Sequence, residues 1–302
     1  MAQKRSNLWL WVIVGGGAFL FFILCLAALA AMFTDNTSPS RIPRSSNLVA
    51  SLEIKGTISD PRGFIEDLKE YGNRSNVRSV VIRIDSPGGG VAASQEIFEA
   101  IKKFRAETKK NVVVSMASTA ASGGYYIACA ADRIFANPGT ITGSIGVIAQ
   151  WYEYSDLLRW AKMQSIVIKS GDLKDAGSGF RPMTDEEKIY FQSLIDDMYG
   201  QFISAVSESR DIPVDEVRKL ADGRVFTGRE AKENRLIDEI GTFQDAVEAA
   251  AKMGGIVGEP KLLAPAKKRF SALDLLLGNA ESLIPLVSGG SESHIRFEYL
   301  WR

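Results

Sequence analysis

The sequence predicts an α/β fold with much parallel strand pairing. Three observations carry that class. Short apolar runs of strand length alternate with amphipathic segments of helix length. Two of those runs lead into glycine-rich turns, Asp85-Ser86-Pro87-Gly88-Gly89-Gly90 and Ala121-Ser122-Gly123-Gly124. A chain of 302 residues is long enough for one substantial core with a smaller appended region.

Taken in order, the N-terminal residues 1–7 carry Lys4 and Arg5 and precede an uncharged run from Leu8 to Phe33, 26 residues long. That exceeds the roughly 20 residues needed to cross the hydrocarbon core. Ala28-Leu29-Ala30 has small residues at a cleavage spacing, but the run is longer than a signal-peptide core, which favours an uncleaved anchor. The two cations place the N-terminus in the cytoplasm and the remainder outside it, at the inner (plasma) membrane. Residues 34–46, rich in Ser, Thr, Asn, Pro and Arg, read as a linker.

The core region follows, at 47–255. Leu48 to Ile58 has strand character, Phe64 to Tyr71 is helical, and Val77 to Ile84 is a buried strand. A helix with Ile97, Ile101 and Phe104 on one face comes next, then a strand at Val112-Val113-Val114 that leads towards Ser122. Arg133 to Ala136, Ile145 to Ala149 and Ser165 to Lys169 read as further strands. Thr184 and Glu187 fit a capping box opening a long helix, with Phe191, Leu194, Ile195, Met198, Phe202 and Val206 at helical spacing. Thr227-Gly228-Arg229-Glu230 offers a second capping box. The C-terminal extension 256–302 has no structure that the sequence decides; its last segment, Phe270 to Arg302, suits an amphipathic helix followed by a loose tail.

Composition removes several functions. Lys plus Arg and Asp plus Glu balance at 36 each, so no basic excess marks a nucleic-acid surface. Two cysteines, Cys25 and Cys129, give no disulfide framework, and Cys129 reads as a buried free thiol. One histidine, His294, with so few thiols argues against zinc, and no acidic cluster has metal-ligand spacing. No cofactor or metal is expected.

The chemistry points to Ser122. Small neighbours, Ala120, Ala121, Gly123 and Gly124, leave its hydroxyl open, and the strand-to-helix turn aims it outward. A nucleophilic serine needs exposure, a base and an oxyanion hole. Backbone N–H groups of Gly123 and of the Gly88–Gly90 turn suit the hole, because glycine lets main chain approach a developing oxyanion. A lone Ser-Gly-Gly more often serves helix packing; two such turns after buried strands shift the balance towards a site. The base is not His294, which sits in the tail. A lysine whose ammonium is disfavoured by burial can take the serine proton, but spacing alone does not select one among so many.

The motifs Asp85-Ser86-Pro87-Gly88-Gly89-Gly90, Ala121-Ser122-Gly123-Gly124-Tyr125-Tyr126, Thr142-Gly143-Ser144-Ile145-Gly146 and Ile168-Lys169-Ser170-Gly171-Asp172-Leu173-Lys174-Asp175 occur in that order. Together they resemble the signal peptide peptidase A family, short bacterial form, from about Asn47 to Ala250, and the N-terminal anchor fits as well. The resemblance implies a crotonase-like, Clp-protease-like fold and a serine endopeptidase with a Ser–Lys dyad. It makes Ser122 the nucleophile, Lys174 the general base, Ser144 the residue orienting the lysine, and the Gly89 and Gly123 N–H groups the oxyanion hole. Lys169 is the confusable neighbour, read as structural at a strand end, and Asp85 is read as stabilising its turn. The resemblance further implies a ring-shaped homo-oligomer with active sites completed between protomers, and residual signal peptides as substrates. The rival readings are a peptidase processing one specific membrane protein, a crotonase-fold acyl-thioester enzyme, and a non-catalytic membrane scaffold.

Overall fold

The computed structural model describes residues 47–264 and 297–300, together with Gly16, Phe19, Leu20 and Phe21. The chain divides into two compact units, residues 1–45 and 46–302. In the first, the four described positions are helical. Among the described residues no helix is long and apolar enough to cross a membrane. Most of the expected anchor (8–33) lies outside the described residues, as do the linker 34–46, Cys25 and His294.

The second unit is built on an eight-stranded sheet. Its main path runs β10 (Lys261–Leu263), β1 (Leu48–Lys55), β2 (Val77–Ser86), β4 (Asn111–Ala121), β5 (Arg133–Ala136) and β9 (Glu239–Ile240), and every pair along it is parallel. β6 (Ile141–Gly143) adds to the far end of β4 in parallel, and β8 (Val225–Thr227) pairs with β6 antiparallel. Parallel neighbours need crossovers, and these come as the expected helices: α1 (Arg62–Asn73), α2 (Val91–Thr108) and α3 (Gly123–Ala128).

Helices cover the sheet, so the central strands lack polar alternation. Val77, Val80, Val81, Ile82 and Ile84 of β2 are all fully buried, as are Val112, Val113 and Val114 of β4. On one face, Val49, Val81, Val113 and Phe135 pack against Ala246, Val247, Ala250 and Ala251 of α8 (Phe243–Met253). The small alanines let this helix lie close to the β-branched strand residues. α3 packs close to β2, since a Cβ on Gly124 would sit 3.4 Å from Ile84 Cγ2.

The long helix α5 (Asp185–Arg210) opens with the expected capping box. Thr184 Oγ1 accepts from Glu187 N, and Glu187 Oε2 accepts from Thr184 N. Phe191, Phe202 and Val206 of its apolar stripe are buried, while Leu194, Ile195 and Met198 are half-buried. The second capping box, at Thr227 and Glu230, starts α7 (Gly228–Glu233).

Three expectations about elements are corrected. Ser165–Lys169 is not a strand: all five residues are exposed and have no sheet partner. Ile166-Val167-Ile168 has the side chains of a strand, but it lies in a long exposed arm between residues 151 and 182 where no sheet edge receives it. The expected strand at Ile145–Ala149 contracts to β7 (Ile148–Ala149). The stretch read as a loose tail contains a strand, β11 (Phe297–Leu300). β11 lies between β3 (Gly88–Gly90) and β7 in a separate three-stranded sheet, antiparallel to both.

Candidate active site

Ser122 closes β4 and caps the short helix α3. Its backbone has φ 51° and ψ −114°, a conformation that L residues rarely adopt and that costs on the order of 1–3 kcal/mol. Two hydrogen bonds hold the strained turn. Ser122 N donates to Gly143 O at 2.8 Å, and Tyr126 N donates to Ser122 O at 2.8 Å. Ser144, next to Gly143, repeats the positive backbone angle at φ 51° and is itself tied down by donation from its N to Arg224 O at 2.8 Å. The motifs around Ser122 and Ser144 are thus joined through the Gly143 carbonyl.

The Gly88–Gly90 turn meets the same point. Ile58 N donates to Gly88 O at 2.9 Å, and Gly90 N donates to Ile58 O at 2.8 Å. Backbone groups of successive strand residues face opposite edges, so Gly89 turns its N–H and C=O away from Ile58 and towards β11. A Cβ on Gly89 would lie 2.1 Å from Ile58 O, so the position admits only glycine. Gly89 N lies 3.3 Å from the place a Cβ on Gly123 would occupy. Gly123 is the first residue of α3, and its N–H is one of the donors that the helix leaves unpaired. Gly89, Ser122, Gly123 and Ser144 are thus brought into one region of the fold. Asp85 Oδ1 accepts from Thr119 N at 3.2 Å, a bond within the sheet end.

Sequence reasoning expected an exposed Ser122, and the structure corrects this: the residue is buried. The reason is β11. Tyr299 pairs with Gly89, and its carbonyl oxygen lies 1.9 Å from where a Cβ on Gly88 would be and 3.2 Å from where one on Gly123 would be. The Gly88 turn, at φ 108°, makes room for this oxygen. The Tyr299 side chain is fully buried, stacked on Tyr126 at 5.3 Å between centroids and tilted against Phe202 at 4.7 Å. Phe98 touches the other end of the cluster through Tyr126 at 4.8 Å. Tyr299 Oη donates to Met198 O at 3.0 Å, and burial pushes the phenol pKa up. The site thus contains an extended backbone segment on the glycine turns, a carbonyl beside their N–H groups and an aromatic side chain in an aromatic pocket.

This aromatic pocket escaped sequence reasoning. The signal was present, since Phe297, Tyr299 and Trp301 alternate with other residues at strand period.

Lys174 is placed differently. It lies in a 3₁₀ turn (Asp172–Asp175) within the arm and is exposed. Among the described residues no hydrogen bond joins it to Ser122. Lys169, the confusable neighbour, is occupied: its Nζ donates to Asp172 O and to Asp175 Oδ1, both at 2.7 Å. Its structural reading stands, but as an ion-pair partner rather than as a strand end. Near Ser144 a cavity of about 530 Å³ opens, with Gln192, Asp196, Tyr199, Asp222 and Leu300 on its walls. Cys129 is a buried free thiol, its pKa pushed up to about 12 by burial. Among the described residues no group of His, Cys, Asp and Glu has the arrangement to hold a metal ion.

Comparison with known proteins identifies the family. The family model for peptidase family S49 matches residues 104–256, just over half of the chain, and the Clp protease model matches residues 41–140. A protein of Synechocystis sp. named as a protease is 42% identical over 210 residues, covering 69% of this chain and 75% of its own. A protein of Enterococcus faecium named for signal peptide peptidase SppA is 34% identical over 69% of this chain and 64% of its own. The chloroplastic serine protease SPPA of Arabidopsis thaliana is 34% identical over 76% of this chain and 35% of its own. The chain thus spans less than two thirds of the length of the last two. The mixed α/β architecture agrees with the Clp protease match, and peptide hydrolysis displaces the acyl-thioester reading. By the S49 match over more than half its length and by its Synechocystis relative, the chain belongs to peptidase family S49 and is a serine peptidase.

Proposed function

We propose that the chain is a membrane-anchored serine endopeptidase that cleaves residual signal peptides through a Ser122–Lys174 dyad. The observation that carries this reading is β11, an extended peptide paired with Gly89 on the glycine turns, with its Tyr299 carbonyl beside Gly88 and Gly123. A substrate strand would take the same place. Ser122 Oγ attacks the carbonyl carbon as Lys174 removes its proton. The N–H groups of Gly89 and Gly123 stabilise the resulting oxyanion, and such a donor is worth about 3–4 kcal/mol. Lys174 then protonates the leaving amine, and water resolves the acyl-enzyme. The aromatic pocket of Tyr126, Phe202 and Phe98 favours a large apolar side chain at the cleaved position, as apolar signal-peptide remnants supply.

The dyad is completed between copies. Lys174 rides on an arm whose Trp160, Ile166 and Ile168 are 82%, 84% and 97% exposed, more apolar surface than an isolated protomer ordinarily leaves open. The cavity of about 530 Å³ at Ser144 leaves room for a side chain from a neighbouring copy. The assembly is read as a ring-shaped homo-oligomer at the inner (plasma) membrane, anchored by residues 8–33, with the catalytic part outside the cytoplasm.

The test uses full-length protein in detergent and an apolar fluorogenic peptide. Ser122→Ala and Lys174→Ala each lower kcat/KM by about 10⁴-fold or more, as loss of a nucleophile or its base does. Mixing the two inactive variants before assembly restores part of the activity. Full activity in either single variant overturns the dyad, and silence in the mixture overturns its completion between copies.

A further inference from the structure

We propose that Asp175, clamped by Lys169 and Arg181, positions Lys174 for proton transfer. The inference rests on Lys174 being the general base.

Lys174 and Asp175 are adjacent in the 3₁₀ turn, which is too short to hold its own shape. The side chains around it supply the rigidity. Lys169 Nζ reaches Asp172 O and Asp175 Oδ1, so it ties the first and last residues of the turn together. Arg181 Nε donates to Asp175 Oδ2 at 2.9 Å. The same guanidinium forks onto Glu187, with Nη1 donating to Oε2 at 3.0 Å and Nη2 to Oε1. Glu187 is fixed in turn, being buried and part of the α5 capping box. α5 is seated in the core through Phe202, Ile203 and Val206, which are fully buried. A continuous path of charge-assisted bonds therefore runs from the rigid end of α5, through Glu187, Arg181 and Asp175, to the turn that carries Lys174.

The path is unusual for its setting. Surface ion pairs on a mobile scaffold contribute little. Here Asp175 is only 13% exposed within an otherwise open arm, and it accepts from two cations at once. Those cations hold its carboxyl well below the ordinary carboxylate range, Arg181 foremost, so it stays ionised. Lys169 is neutralised by the same contact, which leaves Lys174 as the lysine of this turn with no ion-pair partner among the described residues. The cluster thus assigns the two lysines different work: Lys169 holds the turn and Lys174 reaches from it. A base displaced by about 1 Å can cost about 100-fold in rate, so holding this turn has kinetic consequences.

The experiment compares full-length wild type with Asp175→Asn, Lys169→Met, Lys169→Arg and Lys174→Ala on the fluorogenic peptide, with melting temperature and oligomer size measured for each. Asp175→Asn and Lys169→Met are expected to lower kcat about 10- to 100-fold with KM within about twofold, because the substrate groove is untouched and only the base is misplaced. Lys169→Arg, which keeps both contacts, restores kcat to within about threefold of wild type. Equal kcat in wild type, Asp175→Asn and Lys169→Met, with Lys174→Ala inactive, overturns the clamp and leaves the dyad standing. An active Lys174→Ala overturns the dyad and the clamp with it. Loss of kcat in Lys169→Arg equal to that in Lys169→Met, or loss accompanied by oligomer dissociation, also overturns positioning, since either would mark a purely structural contact.

Discussion

The surroundings of Ser122 and the arm that carries Lys174 are opposites. Around Ser122 the chain is buried and closely packed, and its backbone bonds run to Gly143, Ile58 and Arg224. The strain at Ser122 and Ser144 persists because neighbouring elements over-determine it. In the arm, from residue 151 to 182, large apolar side chains face solvent and regular structure is limited to one six-residue helix, Ser155–Trp160, and the 3₁₀ turn. One region is complete within a single chain. The other has the composition of an interface and, in one copy, nothing to cover it. In the proposed dyad the nucleophile would sit in one region and the base in the other, so chemistry would depend on assembly.

Three changes probe that contrast. The largest effect is expected from the arm. Trp160→Asp with Ile168→Asp should dissociate the oligomer and lower kcat/KM by about 100-fold or more, as the base leaves the site. The melting temperature of the second unit should hardly move, because neither side chain is buried in the protomer. Size-exclusion chromatography with a peptidase assay reads both outcomes; an intact, active oligomer would show that the arm is not the interface.

A smaller effect is expected at the buried region. Deleting residues 297–302 removes β11 from the glycine turns. If β11 fills the groove nine-tenths of the time, kcat/KM for short peptides rises roughly tenfold. Labelling of Ser122 by a serine-reactive acylating probe accelerates in parallel. Unchanged labelling would mean that the strand does not occupy the groove in solution.

The smallest effect concerns the join between the two regions. The Arg181 guanidinium holds the Glu187 carboxyl below its ordinary range. A depressed carboxyl contributes stability that is present above its unfolded pKa and is lost as pH falls through the folded value. Glu187→Gln should therefore lower the melting temperature at pH 7, and the gap from wild type should narrow as pH falls below about 4.3. A gap constant with pH would show that the Arg181 pair carries no stability.

The contrast also explains which features were legible in the sequence. The parallel core was legible because buried strands read as continuous Val and Ile runs and its helices carry a 3.6-residue period. The two capping boxes were legible because each is a local Thr-x-x-Glu pattern. Gly89 and Gly123 were legible as close-approach positions, and the close approach is real, to Ile58 in one case and to Ser94 Oγ in the other, 2.5 Å from a Cβ on Gly123. The arm misled because Ile166-Val167-Ile168 has the side chains of a strand, and nothing local reports the missing sheet edge.

By itself, then, the sequence determined the α/β class, the glycine turns and Ser122 as the hydroxyl at the end of a buried strand. These depend on periodicity and on residues a few positions apart. Tertiary structure alone decided that Ser122 is buried, that Tyr299 reaches the glycine turns from the far end of the chain and that Lys169 is committed to Asp175. Such contacts join segments whose separation in sequence carries no periodic signal, and their geometry follows from how the sheet ends and the arm leaves it.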